Sequence, residues 1–260
     1  NTPEGYVVGR SLVSYASILP SGFRGSLADL GPRDRWLDIG AGEGNAVLDY
    51  YGELFDAMHW EGRERRGKKA RSVAISIEDR RTHEWYETAA RLEPGKIEYL
   101  YGKRLSQYAG RDLGQFQLVT DVIGGFSYSQ YLSVFMEKVL GFMEVNASFY
   151  TLLLDVRTEA KADPDLYSNL VLLTELEAPN GSEVKVCSWL KSISCAQVTC
   201  ELSTDLKRPI ELYRIQKVCD KVAVPSLTPV SYLAGTPPVR RYRVGPPRPD
   251  LIESLRPIDE

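Results

Sequence analysis

Histidine is nearly absent: His59 and His83 are the only two in 260 residues, so a metal centre built from histidines is excluded and zinc chemistry drops out. Cysteine is scarce as well. Cys187, Cys195, Cys200 and Cys219 form no CxxC pair, and the usual compartment rule makes them free thiols of a cytoplasmic protein. No apolar run approaches the roughly 20 residues a membrane-spanning helix needs, and residues 1–10 lack the basic-then-apolar order of a signal peptide, so no membrane partner is expected. The chain begins at Asn1 and not at an initiator Met, as a processed or trimmed chain does. An excess of positive charge is also missing. At a net charge of -3, nucleic acid is disfavoured as a partner held by bulk electrostatics.

What is present is enough apolar residue, 43%, for a sizeable core, and one domain is expected. From residue 35 onward β-type runs alternate with helix-type runs, the pattern of an α/β fold with a mostly parallel, doubly wound sheet. Strands are predicted over 35–39, 72–77, 96–101, 116–122 and 148–156, the last being the most apolar run in the chain. Helices are predicted over 45–60, where Val47, Leu48, Tyr51, Leu54, Phe55 and Met58 recur at spacings of three and four, from an N-cap at Thr82, and over 129–145. After the fifth strand, Asn180-Gly181 between two β-prone runs predicts a hairpin insertion over 165–187. A short helix near 188–194 and strands over 197–202 and 210–218 complete a seven-stranded sheet. Residues 1–30 form an N-terminal segment on the substrate side. The proline-rich stretch 224–260 is expected to be extended, wrapping or trailing and not folding alone.

The first predicted strand runs into Asp38-Ile39-Gly40-Ala41-Gly42-Glu43-Gly44 and then a helix. Gly40 and Gly42 allow a tight turn with close backbone approach, Gly44 lets the helix pack on the strand, and the free N–H groups suit a negative group. A dinucleotide loop would read G-x-G-x-x-G/A, but the fifth residue after Gly40 is Asn45, and Asp38 would sit poorly beside a pyrophosphate. A sulfonium nucleoside carries no phosphate and welcomes that acid.

The run from Trp36 to Gly44 resembles the first motif of the class I S-adenosylmethionine-dependent methyltransferases, an acid followed by Gly-x-Gly-x-Gly. The resemblance extends over roughly residues 30 to 218. It implies a Rossmann-like sheet, S-adenosylmethionine as cofactor, and cofactor contacts from Asp38, Gly40, Ala41, Gly42 and Gly44. In that family an acid ending the second strand takes the ribose hydroxyls; here Glu78 is the first choice and Asp79 the second. The acid that often receives adenine after the third strand is missing, and Lys103 and Arg104 stand in its place. Asp121, ending the fourth strand, borders both cofactor and substrate.

Methyl transfer from a sulfonium is an in-line displacement that needs positioning more than catalytic groups. For a hydroxyl or amine acceptor a base must take a proton, and Asp121, Tyr128 and His83 are the candidates, in that order of rank for the first. The expected acceptor is a small molecule with an O or N nucleophile. Rival readings are methylation of RNA or protein through Arg240-Arg241-Tyr242-Arg243, and a protein that binds the cofactor without chemistry. The basic stretch 63–71 is read as a solvated loop.

Overall fold

The computed structural model describes residues 7–52, 69–154, 172–203, 210–235 and 238–248. The expected first-helix positions Leu54, Phe55 and Met58, as well as His59, the basic stretch as far as residue 68, and the ends 1–6 and 249–260, lie outside the described residues. Two short helices come first among the described residues, α1 (Leu12–Ile18) and α2 (Gly22–Ala28). Strand β1 (Arg35–Ile39) and helix α3 (Asn45–Tyr51) follow, joined by the glycine loop. Next come β2 (Arg71–Ile75), α4 (His83–Arg91) with Thr82 at its N-cap, β3 (Ile97–Leu100), α5 (Gly110–Leu113) and β4 (Phe116–Asp121). After α6 (Gly125–Tyr128) and α7 (Leu132–Phe142), strand β5 (Met143–Leu154) begins with no intervening loop. The hairpin expected at Asn180-Gly181 is β6 (Leu173–Glu177) and β7 (Glu183–Val184). The described residues continue with α8 (Val186–Lys191), β8 (Ala196–Ser203), β9 (Ile210–Lys217), β10 (Pro225–Leu233) and β11 (Val239–Pro247).

Seven strands form one sheet in the order β3-β2-β1-β4-β5-β9-β8. The first five pair in parallel, and β9 and β8 join antiparallel. Alternation along each strand assigns its side chains to two layers. Leu37, Ile39, Val73, Ile75, Val119 and Phe149 enter one apolar cluster, whereas Trp36, Ala74, Leu118, Tyr150 and Leu152 enter the other. The helices covering both faces make the sheet doubly wound, as expected.

The described part of the proline-rich stretch, 224–235 and 238–248, is extended and does not fold alone, and it is also paired in a sheet. Its extended chain does not merely trail: β10 and β11 pair with each other, and β11 lies parallel to β6, giving a second sheet in the order β10-β11-β6-β7. Helix α7 is caught between the two sheets and all eleven of its residues are buried. Leu227, Tyr242 and Leu176 of the second sheet join the cluster under α7, so the sheet buries apolar surface that neither hairpin holds alone.

The cysteine reading is corrected. Cys187 is bonded to Cys200 and Cys195 to Cys219, with Cα separations of 6.2 and 5.0 Å, so these are not free thiols. Sequence spacing hid the pairs because antiparallel β8 and β9, with α8 packed beside them, bring together residues 13 and 24 positions apart. The argument from free thiols to a reducing compartment falls with them. No helix among the described residues is long and apolar enough to cross a membrane.

Candidate functional site

Strand order reverses direction between β1 and β4, because β1 is followed by β2 on one side and β4 lies on the other. Loops leaving the carboxyl ends of two such strands diverge and open a crevice there. Both loops are glycine turns. Gly40, Gly42 and Gly44 all have positive φ (70°, 58° and 78°), which accounts for the three glycines. A Cβ on Gly40 would stand 2.8 Å from Cα of Gly124, so the two turns touch backbone to backbone. Behind Gly44 lies the Trp85 ring, 2.5 Å from the place a Cβ would take. Ala41 donates its N–H to Ile75 O at 3.0 Å, tying the loop to the end of β2.

Asp38 sits below this loop and is fully buried. Thr120 Oγ1 accepts from the Trp36 indole at 2.8 Å and donates to Asp38 at 2.7 Å. The Tyr15 hydroxyl, from α1, donates to the same carboxylate. Burial pushes the Asp38 pKa up to about 7 despite these two donors. Asp38 therefore faces Tyr15 and Thr120 in the interior.

Asp121 is buried too, and its oxygens accept from the N–H groups of Gly124 (2.7 Å) and Phe126 (3.0 Å). Its pKa is also raised to about 7 by burial, opposed by those backbone donors. It organises the second glycine turn. Tyr128 ends α6 and lies in the electrostatic surroundings of both Arg10 and Arg240. His83 points outward, 87% exposed, and meets Glu87 at 3.2 Å.

Beyond β2, Ile77 and Glu78 are exposed, and Glu78 pairs with Arg80 at 2.7 Å. Asp79 holds Arg81 through two side-chain hydrogen bonds. The Tyr99 hydroxyl donates to Gly42 O at 2.5 Å and receives Arg80 N–H at 3.3 Å, linking the glycine loop to the turn that carries both acids. Tyr101 is half exposed beside them, and Lys103 and Arg104 lie on the surface of the next turn, with Lys103 Nζ 5.6 Å from the Tyr108 ring. The structure thus brings the three glycines, Asp38 and Asp121 to the adjoining ends of β1 and β4, puts Tyr128 at the end of α6 and Glu78 and Asp79 beyond β2, and leaves His83 exposed on α4. Arg10, Tyr15, Tyr99 and Trp85 escaped the sequence reading; no motif marks them, since each reaches the loop from a different element.

A parallel sheet in the order β3-β2-β1-β4-β5, closed by an antiparallel β9 inserted before β8, with a glycine loop after β1, decides the architecture. The fold is that of the class I methyltransferases. No family model and no curated protein matches the chain. Among solved structures it is similar to the 1,6-didemethyltoxoflavin-N1-methyltransferase of Burkholderia thailandensis, bound to 1,6-didemethyltoxoflavin and S-adenosylhomocysteine, at 13% identity over 75% of this chain and 76% of that one (TM-score 0.46). The precorrin-6y C5,15-methyltransferase of Geobacter metallireducens is similar at 11% identity over 75% and 84% (TM-score 0.40). YjhP of E. coli is similar at 13% identity (TM-score 0.42), over 63% of this chain and 57% of YjhP's own length. At such identities every residue role in this class I methyltransferase fold must be argued from its own site.

Proposed function

We propose that the protein is an S-adenosylmethionine-dependent methyltransferase acting on an O or N atom of a small molecule. The observation that carries this reading is the pair of glycine turns in contact at Gly40 and Gly124, at the switch point of the sheet, above a buried carboxylate. Exposed groups follow the ends of three neighbouring strands, Gly40 after β1, Ile77 and Glu78 after β2 and Tyr101 after β3, and we assign Glu78 to the ribose hydroxyls and Ile77 and Tyr101 to adenine. Glu78 is the exposed partner of its pair with Arg80, a surface contact worth little, so hydroxyl donors can displace it. Bound there, S-adenosylmethionine supplies an electrophilic methyl group on its sulfonium.

The chain's own part is to orient the acceptor, exclude water and receive a proton. Of the three candidate bases, Tyr128 has the strongest claim. Asp121 already spends both oxygens on backbone donors, and His83 faces solvent. An RNA acceptor is disfavoured by the fate of its supposed contact strip. Arg240 is buried and donates to Phe126 O and Ser129 O, Arg241 is paired with Glu175, and Arg243 with Glu177. No free row of cations remains in those three residues to release counterions from a phosphate backbone.

Calorimetric titration with S-adenosylhomocysteine, S-adenosylmethionine and NADH tests the reading. Binding of the first two and not the third is expected, together with a mass gain of one CH2 in a metabolite extract. NADH binding without S-adenosylhomocysteine binding would reject it.

A further inference from the structure

We infer that residues 7–10 form a strap that closes over the glycine loop and gates the ligand's access to it. The inference rests on the cofactor reading above and adds the step by which the cofactor arrives. Val8 C=O accepts the Glu43 N–H at 2.8 Å. The bare face of Gly42 is covered by that same residue: a Cβ there would stand 2.1 Å from Val8 O and 3.1 Å from Val8 Cα. From the other side, a Cβ on Gly9 would meet Glu43 Oε2 at 2.7 Å. Gly42 thus lets two backbones touch, and Gly9 leaves room for the Glu43 side chain. What Gly42 makes room for is the strap.

Behind the strap the chain is firmly held. Ser11 caps α1, the Leu12 N–H donates to Asp49 at 2.8 Å, and Leu12 and Tyr15 are buried. The strap itself buries little: Val7 and Gly9 are exposed and Val8 and Arg10 only half-buried. It can therefore lift about Ser11 without withdrawing a core side chain. Closed, the Val8 carbonyl occupies the loop N–H of Glu43 and brings Arg10 into the field of Asp38 and Asp121. Lifted, it uncovers an N–H and a side-chain-free backbone face suited to the amino acid end of a sulfonium nucleoside. Ligand exchange then waits on strap opening.

Gly9→Glu tests the gate, because it sets a second carboxylate against that of Glu43 and pushes the strap off without altering the loop. Two readouts are compared in the full chain: hydrogen exchange of the Glu43 amide, and the association rate of S-adenosylhomocysteine in stopped flow. Expected are a protected Glu43 amide in the native chain, and in the variant exchange and association both faster by about five-fold or more, the factor one net backbone hydrogen bond carries. The Leu12 amide should stay protected in both, and adding Glu43→Gln to the variant should restore slow association. An unprotected Glu43 amide in the native chain, or equal association rates, overturns the gate. Binding to neither protein overturns the cofactor reading beneath it, whatever the exchange data show.

Discussion

The Tyr15 hydroxyl donates to both carboxylate oxygens of Asp38, at 3.1 and 3.0 Å, and so fastens the first helix to the strand beneath the glycine loop. Asp38 is fully buried, so each donor it keeps offsets part of a large desolvation cost. The contact also draws α1, and with it residues 7–10, over the loop. One hydroxyl thereby joins the core to the rim of the crevice.

Tyr15→Phe should therefore cost about 1–3 kcal/mol, the range for stranding a buried polar partner, with Thr120 left to hold Asp38. Urea denaturation at neutral pH measures it. A midpoint unchanged from the native chain would mean that the carboxylate gains nothing from the phenol.

Stability should fall as the pH rises through the neutral range. Asp38, Asp121 and Glu137 each have a pKa raised to about 7, burial being the first cause in all three. A carboxyl raised in the folded state adds stability that is fully present below its unfolded value, near 4, and is lost as pH climbs through about 7. Glu137 is the cleanest case, because neither of its buried oxygens has a hydrogen-bond partner. Glu137→Gln should raise the urea midpoint at pH 8 more than at pH 5; the same gain at both would show that Glu137 does not titrate between them.

Glu78→Ala should weaken S-adenosylhomocysteine by roughly ten-fold, the effect of one bidentate hydrogen-bonded contact, and leave methionine binding nearly unchanged. Isothermal titration with both ligands decides. Equal losses would move the ribose contact away from the β2 end.

Reduction should destabilise the β8 edge. That strand has no fully buried residue, so its ladder with β9 and the two disulfides hold it in place. Loops of 13 and 24 residues suggest about 3 kcal/mol per bridge. A melting curve with and without dithiothreitol should show a clear drop, and a non-reduced peptide map should pair Cys187 with Cys200 and Cys195 with Cys219. Four alkylated thiols in the unreduced protein would refute this.

Local pattern was enough for the large sheet. β1 runs over the predicted residues because Arg35 to Ile39 is bounded by turn signals, and the Asn180-Gly181 hairpin follows from a dipeptide that tolerates positive φ. The glycine loop was legible for the same reason: three left-handed positions leave three glycines in the chain. Illegible were contacts between distant elements. Asp38 reads as an acid beside a loop, yet whether it meets solvent or Tyr15 depends on where α1 lands. Asp121 reads as a candidate base until its oxygens meet the Gly124 and Phe126 amides.

Period, turn chemistry and the acid-glycine motif are properties of neighbouring residues, and by themselves they determined the doubly wound sheet and the glycine loop that follows its first strand. Tertiary structure alone decided that β11 would lie beside β6, that the four cysteines would pair, and that Val8 would rest on Gly42. The physical reason is common to all three. Each is a contact between segments that lie apart in sequence, and only the packing of the whole chain brings them within reach.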